Sequence, residues 1–145
     1  MSTSPADFNA KVIDEFRANQ GRVGGGWEGT PLLLLHHTGA KSGKDRINPL
    51  GHLGDSGRYV VVASNGGAPS SPHWYHNLKA QPNVRIEVGT QTIEVVAHEA
   101  TGEERERLFR AQVERYPHLA EYERKAGRLI PVIVLTPGQG LRASG

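Results

Sequence analysis

Leu32-Leu33-Leu34-Leu35-His36-His37-Thr38-Gly39-Ala40-Lys41-Ser42-Gly43-Lys44-Asp45-Arg46-Ile47-Asn48-Pro49-Leu50-Gly51-His52-Leu53 is the stretch that decides the fold. Its leucine run is far shorter than a membrane span and suits a buried strand over residues 32–38. Two glycines bracket a polar turn at 39–43. Asp45 to Leu53 predicts a second strand. The link between the two is a few residues, and a parallel crossover needs a dozen or more, so the pair is antiparallel. Pro49 has no N–H to give a ladder, which places this strand at an edge or a bulge.

Outward from this hairpin the same reading continues. Asp55-Ser56-Gly57 is a tight turn, and Arg58 to Ser64 a third strand. A loop, 66–71, leads to a short helix from His73 to Ala80. Val84 to Val88 and Gln91 to His98 flank Gly89-Thr90 as a hairpin. Thr101 with Glu104 has the form of a capping box. The charged helix that follows reaches Tyr116-Pro117, and a second helical piece runs from His118 to about Ala126. Ile130 to Thr136 is the last strand. Upstream, Ser4-Pro5-Ala6-Asp7 starts a helix whose Phe8, Val12 and Phe16 form one apolar stripe, with Ile13 beside it. The expected fold is mainly β with flanking helices: a six-stranded, mostly antiparallel split β-barrel. One domain is expected over 1–145, with an N-terminal helix and Gly-rich connector at 1–30 and a loose tail at 138–145.

Composition narrows the function. Of 145 residues, 37% are apolar and 18 are glycine, an ordinary globular balance that argues against disorder. The absence of cysteine excludes disulfides, zinc–thiolate sites, iron–sulfur clusters and a cysteine nucleophile. A net charge of +2 with mixed signs along the chain lacks the clustered basic face of a nucleic-acid binder. No run is long and apolar enough for a membrane span, and no secretory signal is evident. A cytoplasmic location is the expectation.

Several segments can carry chemistry. Gly39 to Arg46 lacks the Walker spacing and leads into a strand, so an NTPase is disfavoured. Its three cations, two glycines and one hydroxyl still form an anion cradle or, equally, a solvated turn. Ser64-Asn65-Gly66-Gly67 follows an apolar strand and lets a ligand approach backbone closely. In Pro72 to Leu78, Trp74 and Leu78 read as core; His73 and His76 share a helical turn, but no third ligand is evident, and no metal site is expected. His36 and His37 must face opposite ways on their strand, one buried and hydrogen-bonded, the other lining a cavity. His52, His98 and His118 read as surface residues, and the Glu103–Arg110 charge run as a solvated helix face. Tyr116 and Tyr122 either pack their helix on the barrel or donate to a substrate oxygen.

Taken in order, Gly39-Ala40-Lys41-Ser42-Gly43, Arg46-Ile47-Asn48-Pro49-Leu50, Ala63-Ser64-Asn65-Gly66-Gly67-Ala68, Pro72-His73-Trp74-Tyr75-His76-Asn77-Leu78-Lys79-Ala80, Thr101-Gly102-Glu103-Glu104-Arg105, Tyr116-Pro117 and Ile130-Pro131-Val132 resemble the deazaflavin (F420)-dependent nitroreductase and quinone-reductase family of actinobacteria. The resemblance covers residues 30–137. It implies a split barrel of the flavin-reductase type that binds coenzyme F420, with FMN as the alternative cofactor. It implies hydride transfer from reduced deazaflavin to a small acceptor such as a quinone, an enone or a nitro compound. The alternatives are an FMN-dependent oxidoreductase of the same fold and a non-catalytic deazaflavin-binding or storage protein.

By the same resemblance, Lys41, Ser42, Gly43, Lys44 and Arg46 hold the cofactor phosphate and acidic tail. Ile47, Asn48, Pro49 and Leu50 run along the ring, while Ala63, Ser64, Asn65, Gly66 and Gly67 hold its other side, with Trp74 and Asn77 nearby. Tyr116 and Tyr122 are the candidate catalytic donors. Departures from the family pattern are Gly51 and Leu119 in place of pocket tyrosines, His36-His37 in place of threonines, and Asn65 in place of a lysine. They point away from nitroimidazoles and toward a quinone or an enone. A homodimer is expected.

Overall fold

The computed structural model describes residues 5–24, 31–64 and 70–137, with side chains from residue 10 onward. Within them the order is α1 (Pro5–Ala18), β1 (Leu32–Thr38), β2 (Asp45–Gly51), β3 (Leu53–Asp55), β4 (Arg58–Val62), α2 (His73–Ala80), β5 (Asn83–Val88), β6 (Gln91–Glu99), α3 (Gly102–Arg115), α4 (His118–Ala126) and β7 (Val132–Pro137). The strands form one sheet in the order β2-β1-β5-β6-β7-β4-β3. Every pairing in it is antiparallel.

The described sheet has seven strands where six were expected. The segment 45–53 is two strands, because the chain changes partners at His52: Gly51 pairs with Leu32 on β1, and Leu53 pairs with Val60 on β4. Those two strands end the sheet order on opposite sides, and one residue joins them. A sheet whose two edges lie one residue apart has to curl, and the result is an antiparallel half-barrel. Pro49 sits on β2, a terminal strand of the order, as its missing donor requires.

Alternation along the strands sorts the core into two faces. Leu33 and Leu35 of β1, Val61 of β4, Ile86 of β5, Ile93 and Val95 of β6, and Ile133 and Leu135 of β7 point inward, where Trp74 and Leu78 of α2 meet them. On the outer face, Val60, Val132 and Val134 take α3 and α4 through Leu108, Phe109 and Leu119. Leu32 and Leu34 take α1 through Val12 and Phe16. Each fully buried leucine or isoleucine contributes about 1.5–3 kcal/mol, so the leucine run anchors both faces at once. Phe8 lies outside the described side chains. The 83–99 hairpin forms as read, with Val88 opposite Gln91. Gly89 turns at φ 59°, and its backbone packs so closely on Gly21 that a Cβ there would sit 2.8 Å from the Gly89 Cα.

Three local expectations change. Thr101 makes no capping hydrogen bond, and the Glu104 carboxylate that would complete a capping box is held by Arg58 and His98. Arg105 of the charged run is buried, held by Glu123 and the Ile130 carbonyl. His52 is buried rather than on the surface, since the strand exchange puts it between the sheet edges. Its N–H is given to the Pro31 carbonyl at 3.0 Å, and its ring meets Tyr59 edge-on at 5.7 Å.

Candidate functional site

The β1–β2 turn is built by its own backbone. Gly39 N–H donates to the Lys44 carbonyl at 2.9 Å, Gly43 N–H to the Gly39 carbonyl at 2.9 Å, and Lys44 N–H to Ser42 Oγ at 3.2 Å. Gly43 adopts φ 71°, and a Cβ on Gly39 would collide with Ser42 Oγ. The left-handed backbone demands glycine at 43, and at 39 a side chain would displace Ser42 Oγ from its hydrogen bond to Lys44 N–H. Residues 40–46 are all exposed. Among the described residues, no carboxylate lies within ion-pair distance of Lys41, Lys44 or Arg46. Two cations on the turn and one at the start of β2 thus have their charge available.

The loop is tied to the barrel by a chain of side-chain hydrogen bonds. Ala40 N–H donates to Asn77 Oδ1 at 2.9 Å. Asn77 Nδ2 meets Nδ1 of His37 at 2.9 Å, and His37 Nε2 meets Asn48 Oδ1 at 2.7 Å. A backbone N–H can only donate, so the Asn77 carbonyl must face Ala40 and its NH₂ must face His37. Nδ1 of His37 is then an acceptor, and Nε2 carries the proton that goes to Asn48. Burial, the leading cause, pulls the His37 pKa below the ordinary histidine value; Arg46 and His36 act the same way, against the Asn48 hydrogen bond.

This network brings together residues far apart in sequence. Asn48 and Leu50 share the inward face of β2, and Leu50 packs on the same interior cluster as Ala63 and Trp74. Helix α2 is the bridge: Asn77 holds the cationic turn while Trp74 touches the cluster that contains the end of β4. Ile47 and Pro49 alternate to the outer side, where Ile47 packs beneath α1. Ser64 is half-buried just past β4, and Asn65, Gly66 and Gly67 lie outside the described residues. Trp74 and Leu78 are core, while His73 and His76 are exposed.

His36 and His37 part as expected. His37 is buried at 4% exposure. His36 lies outside with Nε2 2.6 Å from Glu87, whose carboxylate also takes Arg17. Both histidines line a cavity of about 490 Å³ at the base of the turn, with Thr38, Asp45, Arg85 and Glu94. A larger cavity of about 720 Å³ opens at the start of α3, lined in part by Thr101, Arg107 and Leu129; it holds none of the site residues read from the sequence.

Tyr116 and Tyr122 pack on the outer cluster with α3 and α4, not on the interior one. His118 lies edge-on to both, at 6.2 and 5.0 Å. The Tyr116 hydroxyl is buried without a partner among the described residues, and burial raises its pKa. Just past α4, Arg128 reaches Ser71 Oγ and the Ser70 carbonyl. Ser70 and Ser71 therefore lie beside the residue stretch that follows α4.

A family model for F420H(2)-dependent quinone reductase matches residues 10–137. An F420H(2)-dependent quinone reductase of Mycobacterium tuberculosis is 41% identical over 125 residues, 83% of this chain and 84% of that one. A solved F420-H2 dependent reductase superposes with a TM-score of 0.67 at 46% identity, over 72% of this chain and 93% of that one. A solved domain-swapped dimer gives a TM-score of 0.69 at 41% identity, over 91% of this chain and 99% of its own. Matched over nearly all of its described strands and helices, the chain belongs to the F420H(2)-dependent quinone reductase family.

Proposed function

We propose that this chain holds F420 between the cationic β1–β2 turn and the strand end that follows β4, and there delivers hydride to a quinone. The observation that carries the reading is the hydrogen-bond chain from Ala40 through Asn77 and His37 to Asn48. It ties the turn that carries Lys41 and Lys44, and leads into Arg46, to the inward-facing His37 and Asn48.

The residues present suit the cofactor F420 by the chemistry of their donors. Its phosphodiester and polyglutamate tail are anionic, and Lys41, Lys44 and Arg46 stand exposed with no carboxylate partner among the described residues. Its ring is flat and largely apolar, and Leu50, Ala63 and Trp74 supply apolar surface beside the Asn48 and Asn77 amides. Bound F420H2 supplies the hydride. The protein then has to position, desolvate and stabilise charge rather than furnish a strong base. Lys41, Ser42, Lys44 and Arg46 take the anionic end. Asn48 and Leu50 face the ring from one side, and Ser64 with Asn65, Gly66 and Gly67 from the other.

Tyr116 and Tyr122 pack on the outer cluster, across the sheet from Leu50, Ala63 and Trp74, and are not assigned as donors to the acceptor. A second copy of the chain is the proposed assembly partner, and the location is proposed as the cytoplasm; no helix among the described residues is long and apolar enough to cross a membrane.

Two measurements test the reading. Titration of the protein into oxidised F420 and into FMN, followed by fluorescence, should give saturable quenching of F420 at lower protein concentration. Oxidation of F420H2 with menadione should then turn over. Tight binding with no turnover on menadione, an enone or a nitro compound would mean a storage protein, and tighter binding of FMN would overturn the cofactor assignment.

A further inference from the structure

We propose that His37 is the positioning residue of the cofactor site: with its proton on Nε2 it accepts from the Asn77 amide and donates to that of Asn48, and so, through Asn77, holds the cationic turn in place. The inference rests on the reading that this turn grips F420. It adds a residue that touches none of the anionic groups itself and acts through its neighbours.

The argument is one of donors and acceptors. Ala40 N–H fixes the Asn77 amide, Asn77 fixes Nδ1 of His37 as acceptor, and Nε2 must then donate to Asn48. A second proton on His37 would set Nδ1–H against the Asn77 NH₂. Turning the Asn77 amide over relieves that contact but sets NH₂ against Ala40 N–H. Either way one donor faces another in a buried place, and the conflict passes from the barrel interior to the backbone of the turn.

The charges around His37 work against protonation more than for it. Arg46 from β2 and His36 on its own strand both disfavour it. Around the adjoining cavity stand Asp45 of β2, Arg85 of β5 and Glu94 of β6. Helix α2 contributes the neutral Asn77, since its Lys79 lies toward Glu99. The turn itself adds Lys41 and Lys44. His37 is 4% exposed, so water cannot take over a lost partner.

The test is F420 binding by fluorescence quenching from pH 8 to pH 5 with the wild type, His37→Gln, Lys41→Ala and Arg46→Ala. Glutamine can accept from Asn77 and donate to Asn48, and it does not titrate. The ratio of the wild-type Kd to that of His37→Gln at each pH cancels the ionisation of the cofactor. That ratio should be within about threefold of one at pH 8 and rise about tenfold per pH unit below the His37 pKa, as the competent fraction falls. In parallel, ¹⁵N spectra of the ligand-free wild type at pH 7.5 should show Nε2 protonated and Nδ1 bare. This measurement needs no variant to fold. A ratio that stays flat while the ¹⁵N spectra, followed over the same range, show His37 taking up its second proton, or a proton on Nδ1 at pH 7.5, overturns the role of His37 while leaving the site intact if Lys41→Ala and Arg46→Ala still weaken binding. If both of those variants bind F420 like the wild type, the turn is not the cofactor site and the inference falls with it.

Discussion

Arg105 Nη2 donates to Glu123 Oε2 at 2.6 Å although the arginine is only 7% exposed. The same nitrogen reaches the Ile130 carbonyl at 2.7 Å, and the Glu123 oxygen also accepts from Ile130 N–H at 3.2 Å. The guanidinium lies over the Phe109 ring at 4.2 Å. One charge pair thus joins α3, α4 and the entry to β7. Arg105→Ala leaves a carboxylate and a carbonyl short of their donor and should cost about 3–5 kcal/mol. Urea unfolding followed by circular dichroism reads this directly. A loss below about 1 kcal/mol would mean that water reaches Glu123.

The β3–β4 turn carries a second, more exposed cluster. Asp55 accepts from Arg107 at 2.9 Å and pairs with Arg58, which also reaches Glu104. The Arg107 hydrogen bonds, then those of Arg58, hold the Asp55 carboxyl down from 3.8 to about 2. A carboxylate whose folded pKa is depressed adds stability above its unfolded value and loses it as pH falls through the folded one. Asp55→Asn should therefore be less stable than the wild type at pH 5, with the gap closing between about pH 4 and pH 2. Arg107→Ala should move the Asp55 carboxyl resonance titration upward. An unchanged midpoint would show that Arg58 alone holds the charge.

His52 gives the opposite kind of titration a structural address. Its ring is buried at the joint between the two sheet edges, and Nδ1 has no partner among the described residues. Burial lowers its pKa below the usual 6.5. A histidine kept neutral in the fold contributes fully above its unfolded pKa, and that contribution drains away as pH falls below 6.5 toward the folded value. His52→Phe keeps an aromatic edge against Tyr59 and removes the orphan nitrogen. It should be as stable as the wild type at pH 7.5, or more so, and should lose less stability by pH 5 in thermal melts. An identical loss in both proteins would assign the acid sensitivity to groups other than His52.

What could be read in the chain, and what could not, follows the range of the forces involved. The run Leu32–Leu35, the 83–99 hairpin and the stripe of Trp74 and Leu78 are set by alternation or helical spacing within a few residues, so their signals are local. The break at His52 has no local mark: only the identity of the pairing partners, Leu32 on one side and Val60 on the other, separates two strands from one. The partnership of His37 with Asn48 was within reach, because folding the chain about Gly39–Gly43 brings them to neighbouring positions on one face. Asn77 lies 40 residues from His37, and nothing in either segment announces the other. The two tyrosines show the same limit. Helical spacing says that Tyr116 and Tyr122 pack somewhere, and only the tertiary arrangement puts them on the outer cluster.

The cationic turn offers the most direct test of where the cofactor lies. Lys41 and Lys44 project from a turn whose backbone is closed by its own hydrogen bonds, and Arg46 from the β2 ladder beside it, so truncating one side chain should not move the others. The residues are exposed, and replacing them should change stability by less than about 0.5 kcal/mol. A charge-assisted contact to phosphate or carboxylate is worth about 1.5–3 kcal/mol. Lys41→Ala and Arg46→Ala should thus each weaken F420 binding by about tenfold or more in low salt. Raising the salt shrinks the Debye length from about 30 Å at 0.01 M to about 8 Å at 0.15 M. Binding by the wild type should weaken over that interval, and binding by either variant should weaken less steeply, because fewer charges remain to be screened. Parallel salt dependences for wild type and variants would place the anionic end of the cofactor elsewhere on the barrel.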